Sequence, residues 1–225
     1  MEITHTVRRT DVALPVIDEA HLGEVDSIDG DLDEFSYVGS ARLRELNLSG
    51  THLLDGRITG LTAQRVRLEQ LRVDSVVFSG CDLSNLHWSD SKLSRVVFQD
   101  CKLLGATLEE ITFGNVLFER CKLDLTVFAR VRAAEPVIFS SCSLRETTFA
   151  ATDLSGVAID DCDLTLAEFD GGKYRNLDVR GTDLSSIRGL FSLKGIIIDR
   201  WQTRQLAEAL AAELEVTFGE DLDES

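Results

Sequence analysis

Every fifth residue is apolar through the middle of the chain. From Leu43 to Phe128, all eighteen residues at this spacing are apolar. The phase slips by one residue across 133–136, resumes at Phe139 and continues to Leu184. A second series, two residues before each of these, holds mostly small or β-branched side chains. The other three positions in each group of five are mostly polar.

A period of five matches neither the 3.6 of a helix nor the 2.0 of a strand. It is typical of a chain that turns a corner every five residues, with two inward side chains on each of four sides and twenty residues per coil. The cysteines support this repeat, because they lie 20, 20, 21 and 20 residues apart and the longer gap spans the slip. We predict a buried column of thiols in coils stacked about 4.8 Å apart. The cysteines are Cys81, Cys101, Cys121, Cys142 and Cys162.

Four groups of five carry a recurring motif. They read CDLSN at 81–85, TDLSG at 152–156, CDLTL at 162–166 and TDLSS at 182–186. These groups resemble the A-(D/N)-L-x-x signature of pentapeptide repeat proteins, and the resemblance covers about residues 38–194. It implies an all-β solenoid, a right-handed quadrilateral β-helix of about seven coils. At about 4.8 Å per coil, this body is about 35 Å long.

Residues 1–37 break the five-residue phase, and we predict that they form an N-terminal cap with short strands. The cap ends in an acidic loop from Glu24 to Glu34. Asp-rich loops also bind calcium, but this loop lacks the full ligand spacing, including a glutamate at the twelfth position. A solvated loop is therefore the favoured interpretation.

Residues 195–225 are predicted to form a structure different from the coils. Asp199 and Gln202 resemble a capping box, and apolar residues at helical spacing follow, which predicts one helix over about 200–214. Residues 216–218 are a candidate short strand, and residues 219–225 an acidic, frayed tail.

The segment LKGIIID at 193–199, with Gln202 and Leu206, is similar to the C-terminal ending of the quinolone-resistance pentapeptide repeat proteins. That resemblance implies a helix and strand that join two subunits tail to tail. The alternative is that they only cap the last coil of a monomer. The implied dimer-interface residues are Trp201, Leu206, Leu210, Leu214 and Phe218.

The net charge of −16 is concentrated at the ends of the chain. Residues 1–37 carry −8, residues 195–225 carry −6, and residues 38–194 only −2. An acidic chain argues against direct nucleic-acid binding. There is no apolar stretch of 18 residues and no secretory leader pattern, so we expect no membrane association and a cytoplasmic protein.

We find no motif for catalysis. There is no G-x-S-x-G, P-loop or G-x-G-x-x-G sequence, and the four histidines are scattered. Five cysteines without C-x-x-C or paired Cys/His spacing favour free core thiols over disulfides, zinc or nucleophiles. A filled interior also leaves no substrate cavity. We therefore expect no enzyme activity, catalytic residue, cofactor or metal.

The repeat assigns each outward residue to one of four sides. The side whose inward column runs from Leu48 to Phe169, named here the acidic face, carries −4, and the side whose column runs from Leu53 to Tyr174, the basic face, carries +2. The side with the cysteine column, the cysteine face, is neutral, and the fourth face, from Ile58 to Val179, carries −2. The candidate partner-binding residues on the acidic face are Glu69, Asp90, Glu109, Glu110, Glu168 and Asp170.

The resemblance to the quinolone-resistance branch implies a function. An acidic, dimeric rod that mimics DNA would bind DNA gyrase or another topoisomerase, and either inhibit it or protect it from quinolone-like poisons. The alternative is a generic protein-interaction scaffold with no topoisomerase partner. The near-neutral coils and the lack of long inserted loops favour that alternative.

Overall fold

The computed structural model describes residues 3–219 as a parallel β-solenoid followed by one helix. The strands are β1 (Ile3–Val7), β2 (Thr10–Leu14), β3 (Gly23–Val25), β4 (Leu32–Val38), β5 (Leu46–Asn47), β6 (His52–Thr59), β7 (Val66–Glu69), β8 (Arg72–Ser79), β9 (His87–Ser89), β10 (Lys92–Gln99), β11 (Thr107–Glu109), β12 (Thr112–Glu119), β13 (Val127–Ala129), β14 (Arg132–Ala133), β15 (Val137–Ser140), β16 (Thr148–Ala150), β17 (Ala158–Asp160) and β18 (Glu168–Asp170). A 3-10 turn (Leu190–Ser192) and α1 (Gln202–Glu213) complete the chain.

Two parallel sheets wrap around the core. A seven-stranded sheet, β5-β7-β9-β11-β13-β16-β18, forms the acidic face with one strand per coil. The second sheet forms the basic face and the fourth face, and each of β6, β8, β10 and β12 crosses from one to the other. From β6 to β12, successive strands of each sheet pair with a separation of twenty residues, as Leu68 with Trp88. Strand β12 pairs with β15 with a separation of 21 residues. The predicted coil length, the slip and the number of coils are confirmed.

The two inward series form the core. The larger residue of each group of five is buried along the whole stretch, apart from a half-buried Leu43. Aromatic rings stack at the coil spacing: Phe98 lies 4.8 Å from Phe118, and Phe118 lies 4.8 Å from Phe139, between ring centroids. The columns of stacked side chains explain how two inward residues in each group of five fill the interior.

The corners depend on left-handed backbone. The residue two positions after the large inward side chain has positive φ in most groups, for example 49° at Asp90 and 53° at Arg130. Residues other than glycine, asparagine and aspartate rarely adopt this left-handed backbone conformation. Gly172 (φ 100°) lies one residue beyond such a corner, and a Cβ atom there would lie 2.2 Å from the Thr152 carbonyl oxygen, so this position requires glycine.

The five cysteines are buried and form no disulfide in the described chain. Each thiol donates a hydrogen bond to a carbonyl of the fourth-face column in the preceding coil, at sulfur–oxygen distances of 3.3–3.5 Å. The neighbouring Cys121 thiol and burial raise the pKa of Cys101 to about 12. The thiols therefore act as packing groups that also satisfy backbone carbonyls.

The N-terminal segment differs from the predicted end cap. Strands β1 and β2 form an antiparallel hairpin that lies on the outside of the fourth face, against β10, β12 and β15. Strand β4 already has the register of the coils, pairing Tyr37 with Ile58, so the coils begin before residue 38. The reason for the hairpin's position is a column of apolar residues on the outer surface of that face, which the hairpin covers. This column is Val77, Val97, Leu117, Ile138 and Ala158.

Helix α1 closes the last coil largely through Gln202. Its side chain is fully buried and donates to the carbonyls of Val179 and Thr182, both at 2.8 Å, while accepting from the Asp199 N–H at 2.6 Å. The Gln202 half of the predicted capping box therefore forms, but the helix has Trp201 rather than Asp199 as its N-cap residue, and Trp201 makes no side-chain cap hydrogen bond. Ala209 is the other buried residue of the helix.

The remainder of the C-terminal prediction is partly wrong. The helix matches the predicted 200–214 within two residues, but residues 216–218 form no strand in the described chain. Leu210 and Leu214 are 36% and 55% exposed, because only one side of the helix contacts the coil. The predicted acidic tail, apart from Gly219, lies outside the described residues. No helix within residues 3–219 has the length and apolar character needed to cross a bilayer.

Candidate protein-binding surface

The carboxylates of the acidic face lie in rows along the rod. Strand pairing places Glu69, Ser89 and Glu109 in one row, which continues through two alanines to Asp170. Asp90 and Glu110 hold equivalent left-handed corner positions beside this row. Four of the six candidate residues therefore form one cluster spanning three coils: Glu69, Asp90, Glu109 and Glu110.

Arg130 partly neutralises this cluster. Its Nε donates to Glu110 Oε1 at 2.7 Å, and its terminal nitrogen contacts Glu109. Arg130, followed by Asp90, lowers the pKa of Glu110. The Glu110 carboxyl raises the pKa of Asp90, which indicates that Asp90 lies in negative potential. Asp90 is therefore the member of the cluster whose negative charge the neighbouring carboxylates disfavour.

Glu168 and Asp170 are separated from that cluster. Asp170 follows Ala129 and Ala150 in its row, and Glu168 lies beside Arg188 of the next coil. Both side chains are exposed. The structure places all six candidates on one face but does not join them into an uninterrupted acidic stripe.

A second acidic region lies at the N-terminal end of the rod. Only residues 26–31 of the predicted loop connect β3 to β4, because Glu24 lies in β3 and the end of the segment lies in β4. The acidic side chains of the whole segment are exposed. The Asp31 carboxylate accepts a 2.8 Å hydrogen bond from the His52 backbone N–H, which ties the loop to the next coil. Within residues 3–219, no group of three His, Cys, Asp or Glu side chains has the arrangement of a metal site.

The opposite end of the rod exposes apolar side chains. Trp201 is 56% exposed and Phe218 is 55% exposed, alongside Leu210 and Leu214. Phe191, which the sequence analysis did not single out, is 65% exposed on the 3-10 turn that packs against the helix. Four of the five predicted interface residues are therefore exposed, and Leu206 is half-buried against the core.

The basic face carries a surface cleft, which the sequence analysis did not identify. It has a volume of about 1170 Å³ and crosses the coils from Gly50 to Thr112. Arg72 and Lys92 lie on its floor in parallel register, and Asp90 and Glu110 line the rim that it shares with the acidic face. The cleft places opposite charges side by side around one corner of the rod.

Comparison with known proteins agrees with the repeat. Residues 77–115 match the family model of pentapeptide repeats, with 8 copies. The chain matches none of the curated proteins. It therefore contains pentapeptide repeats, and its strands form the parallel β-solenoid described above.

Solved structures also match most of the chain. A trypsin-treated form of QnrB1, a plasmid-mediated fluoroquinolone resistance protein, is 14% identical, with 77% of this chain and 98% of that chain covered and a TM-score of 0.46. Full-length QnrB1 is 16% identical, with 80% and 89% covered and a TM-score of 0.41.

Proposed function

We propose that this protein is a non-enzymatic, cytoplasmic, DNA-mimicking protein that binds DNA gyrase or another type II topoisomerase. It would inhibit the enzyme or protect it from quinolone-like poisons. The observation that carries the proposal is the clustering of Glu69, Asp90, Glu109 and Glu110 on one flat face of a rod. Their rows follow the coil spacing of about 4.8 Å, whereas duplex DNA carries one charge per about 1.7 Å. The cluster is thus a sparse version of the DNA charge pattern.

The proposed rod is a homodimer joined through its C-terminal ends. Capping of the coil uses Gln202 and Ala209, yet Trp201, Leu214 and Phe218 remain about half exposed. Large apolar side chains grouped on a surface are typical of protein interfaces. A second copy on this patch would cover them and place an acidic N-terminal region at each end of the rod.

The alternative is a protein-interaction scaffold with a different partner. Arg130 bonds to two of the six candidate carboxylates, and Ala129 and Ala150 interrupt the row before Asp170. Both features weaken the resemblance to DNA and favour a partner that recognises a local cluster.

A supercoiling assay with purified gyrase tests the proposal. Micromolar dimer should inhibit supercoiling or reduce the double-strand cleavage that a quinolone induces. The variant Glu69→Lys with Asp90→Lys should lose most of this effect, since both side chains belong to the cluster, are exposed and form no ion pair within residues 3–219. Glu146→Lys with Asp183→Lys makes the same charge change at exposed positions of the cysteine face and should retain the effect.

No effect of the wild-type protein on supercoiling or on cleavage would reject a topoisomerase partner and leave the scaffold. An equal loss in both charge variants would show that net charge matters and the acidic face does not.

A further inference from the structure

The cleft on the basic face has a cationic floor without internal partners. Arg72 and Lys92 are both exposed and lie opposite each other on β8 and β10. Neither forms an ion pair with any residue in the described part of the chain, whereas Arg95 of the same face is paired with Asp74. These two positive charges are therefore available to a ligand.

The rim of the cleft carries the opposite charge. Asp90 and Glu110 border the floor on the side of the acidic face, and Asp74 borders it on the other. Glu110 is held by Arg130, but Asp90 has no ion-pair partner within residues 3–219. A group that binds here meets two unpaired cations next to the carboxyl groups of Asp90 and Glu110 in adjacent coils.

This arrangement selects against nucleic acid. A phosphate backbone carries charge at every step along its length, so a strand lying on Arg72 and Lys92 would also pass the carboxylates of Asp74, Asp90 and Glu110. A protein segment can instead place one carboxylate over the floor and one basic side chain over the rim. Leu54, which is 38% exposed at one end of the cleft, adds an apolar contact of the kind that protein segments use.

We propose that the cleft extends the gyrase-binding surface around the corner from the acidic face. It receives a gyrase segment that carries an acidic side chain next to a basic one, with the carboxylate over Arg72 and Lys92 and the basic group beside Asp90. This inference rests on the proposed function. With the cleft included, the binding surface carries both signs of charge. Charge complementarity then attracts the rod to gyrase and also fixes the orientation in which the rod binds.

The test distinguishes binding that uses the cations of the cleft from binding that depends only on the negative charge of the rod. Arg72→Glu with Lys92→Glu replaces two positive charges by two negative ones, so the net charge goes from −16 to −20. A rod recognised only by its acidity would then bind gyrase more tightly. A rod that uses the cleft would bind more weakly, by tenfold or more in Kd, because close ion pairs at interfaces contribute on the order of 1.5 kcal/mol or more.

The cysteine face supplies a matched control. Lys102 and Lys122 are exposed, lie opposite each other in neighbouring coils and form no ion pair within residues 3–219. Lys102→Glu with Lys122→Glu also gives −20, and this variant should bind gyrase at least as tightly as the wild type. Titrations of labelled protein with purified gyrase at fixed salt compare the three proteins, and thermal melting shows whether each is folded.

If the cleft variant proves unstable, Arg72→Gln with Lys92→Gln removes the cations without adding repulsion and should still weaken binding severalfold. Binding by either cleft variant that equals or exceeds that of the control overturns this inference and leaves the proposed function intact. Absence of binding by the wild type overturns the proposed function, and this inference with it.

Discussion

At the scale of single residues, position within the group of five decides the role of a side chain. Phe118 is fully buried and its ring stacks on those of Phe98 and Phe139. The next residue, Glu119, points outward and bonds to Gln99 and Arg120 on the surface. Neighbours in sequence therefore make very different contributions to stability.

We expect Phe118→Ala to lower the free energy of unfolding by about 3–5 kcal/mol, because it removes the middle ring of a stack and leaves a cavity. Glu119→Gln should cost less than about 1 kcal/mol, since surface ion pairs contribute little. Chemical denaturation of both variants measures the difference. Similar losses in the two would contradict the assignment of inward and outward positions.

The cysteine column predicts unreactive thiols. Contact with Cys101, followed by burial, raises the pKa of Cys81, so little thiolate forms at neutral pH. A thiol reagent should modify the native protein far more slowly than the denatured protein, in which all five cysteines should react. Rapid labelling of several cysteines before unfolding would be incompatible with the buried column.

At the scale of elements, the N-terminal hairpin is held by charge as well as by apolar contact. The Arg8 Nη2 atom lies 2.7 Å from Asp160 Oδ1, and its Nη1 atom lies 3.1 Å from Asp178 Oδ1. The Ala13 N–H donates to Asn115 Oδ1 at 2.9 Å. Burial alone would raise the pKa of Asp178. Hydrogen bonds from Arg180 and the charge of Arg8 outweigh burial and lower it.

The lowered pKa of Asp178 makes the attachment of the hairpin to the coils depend on pH. A carboxyl group whose pKa is lowered by folding stabilises the folded state above its ordinary pKa of 3.8, and this contribution is lost as the pH falls through the lowered value. The protection factors of the amides in residues 3–14, which correct for the intrinsic exchange rate at each pH, should therefore fall below about pH 4, before the coil amides lose protection. Simultaneous loss of protection would show that the hairpin and coils unfold together.

Arg8→Gln should weaken the attachment of the hairpin by about 1.5–3 kcal/mol, the usual range for a hydrogen bond to a charged group. Arg9→Gln is the control, because Arg9 is exposed and forms no ion pair in the described chain. Hydrogen exchange of the hairpin at neutral pH compares them, and equal rates would exclude a role for the Arg8 ion pairs.

At the scale of the whole molecule, the rod has two different ends and two differently charged faces. Acidic residues surround the first strands, and exposed apolar residues surround helix α1. The near-neutral charge of residues 38–194 results from basic residues on one face and acidic residues on another. Orientation, rather than net charge alone, therefore determines what a partner contacts.

The exposed end predicts the oligomeric state. Leu210→Glu should convert a dimer into a folded monomer, because Leu210 is 36% exposed and its charge would be tolerated in water but not within an interface. Light scattering after size-exclusion chromatography measures the mass, with Ala207→Glu as a control at an exposed position of the same helix. A wild-type protein that is already monomeric at micromolar concentration would reject the dimer.

The sequence by itself determined the coil length, the inward columns, the slip near Pro136 and the C-terminal helix. These features repeat every five or twenty residues, so the pattern reports them without knowledge of distant contacts. The outer apolar column from Val77 to Ala158 also repeats in the sequence, but only the structure shows that the N-terminal hairpin covers it.

Only the tertiary structure decided how the charges combine. Arg130 reaches Glu109 and Glu110 across one coil, and Arg8 reaches Asp178 from 170 residues away. The cleft between the basic and acidic faces likewise forms from strands that are twenty residues apart. Burial follows from a local period, whereas ion pairing depends on which exposed side chains meet across coils, and a period cannot specify that.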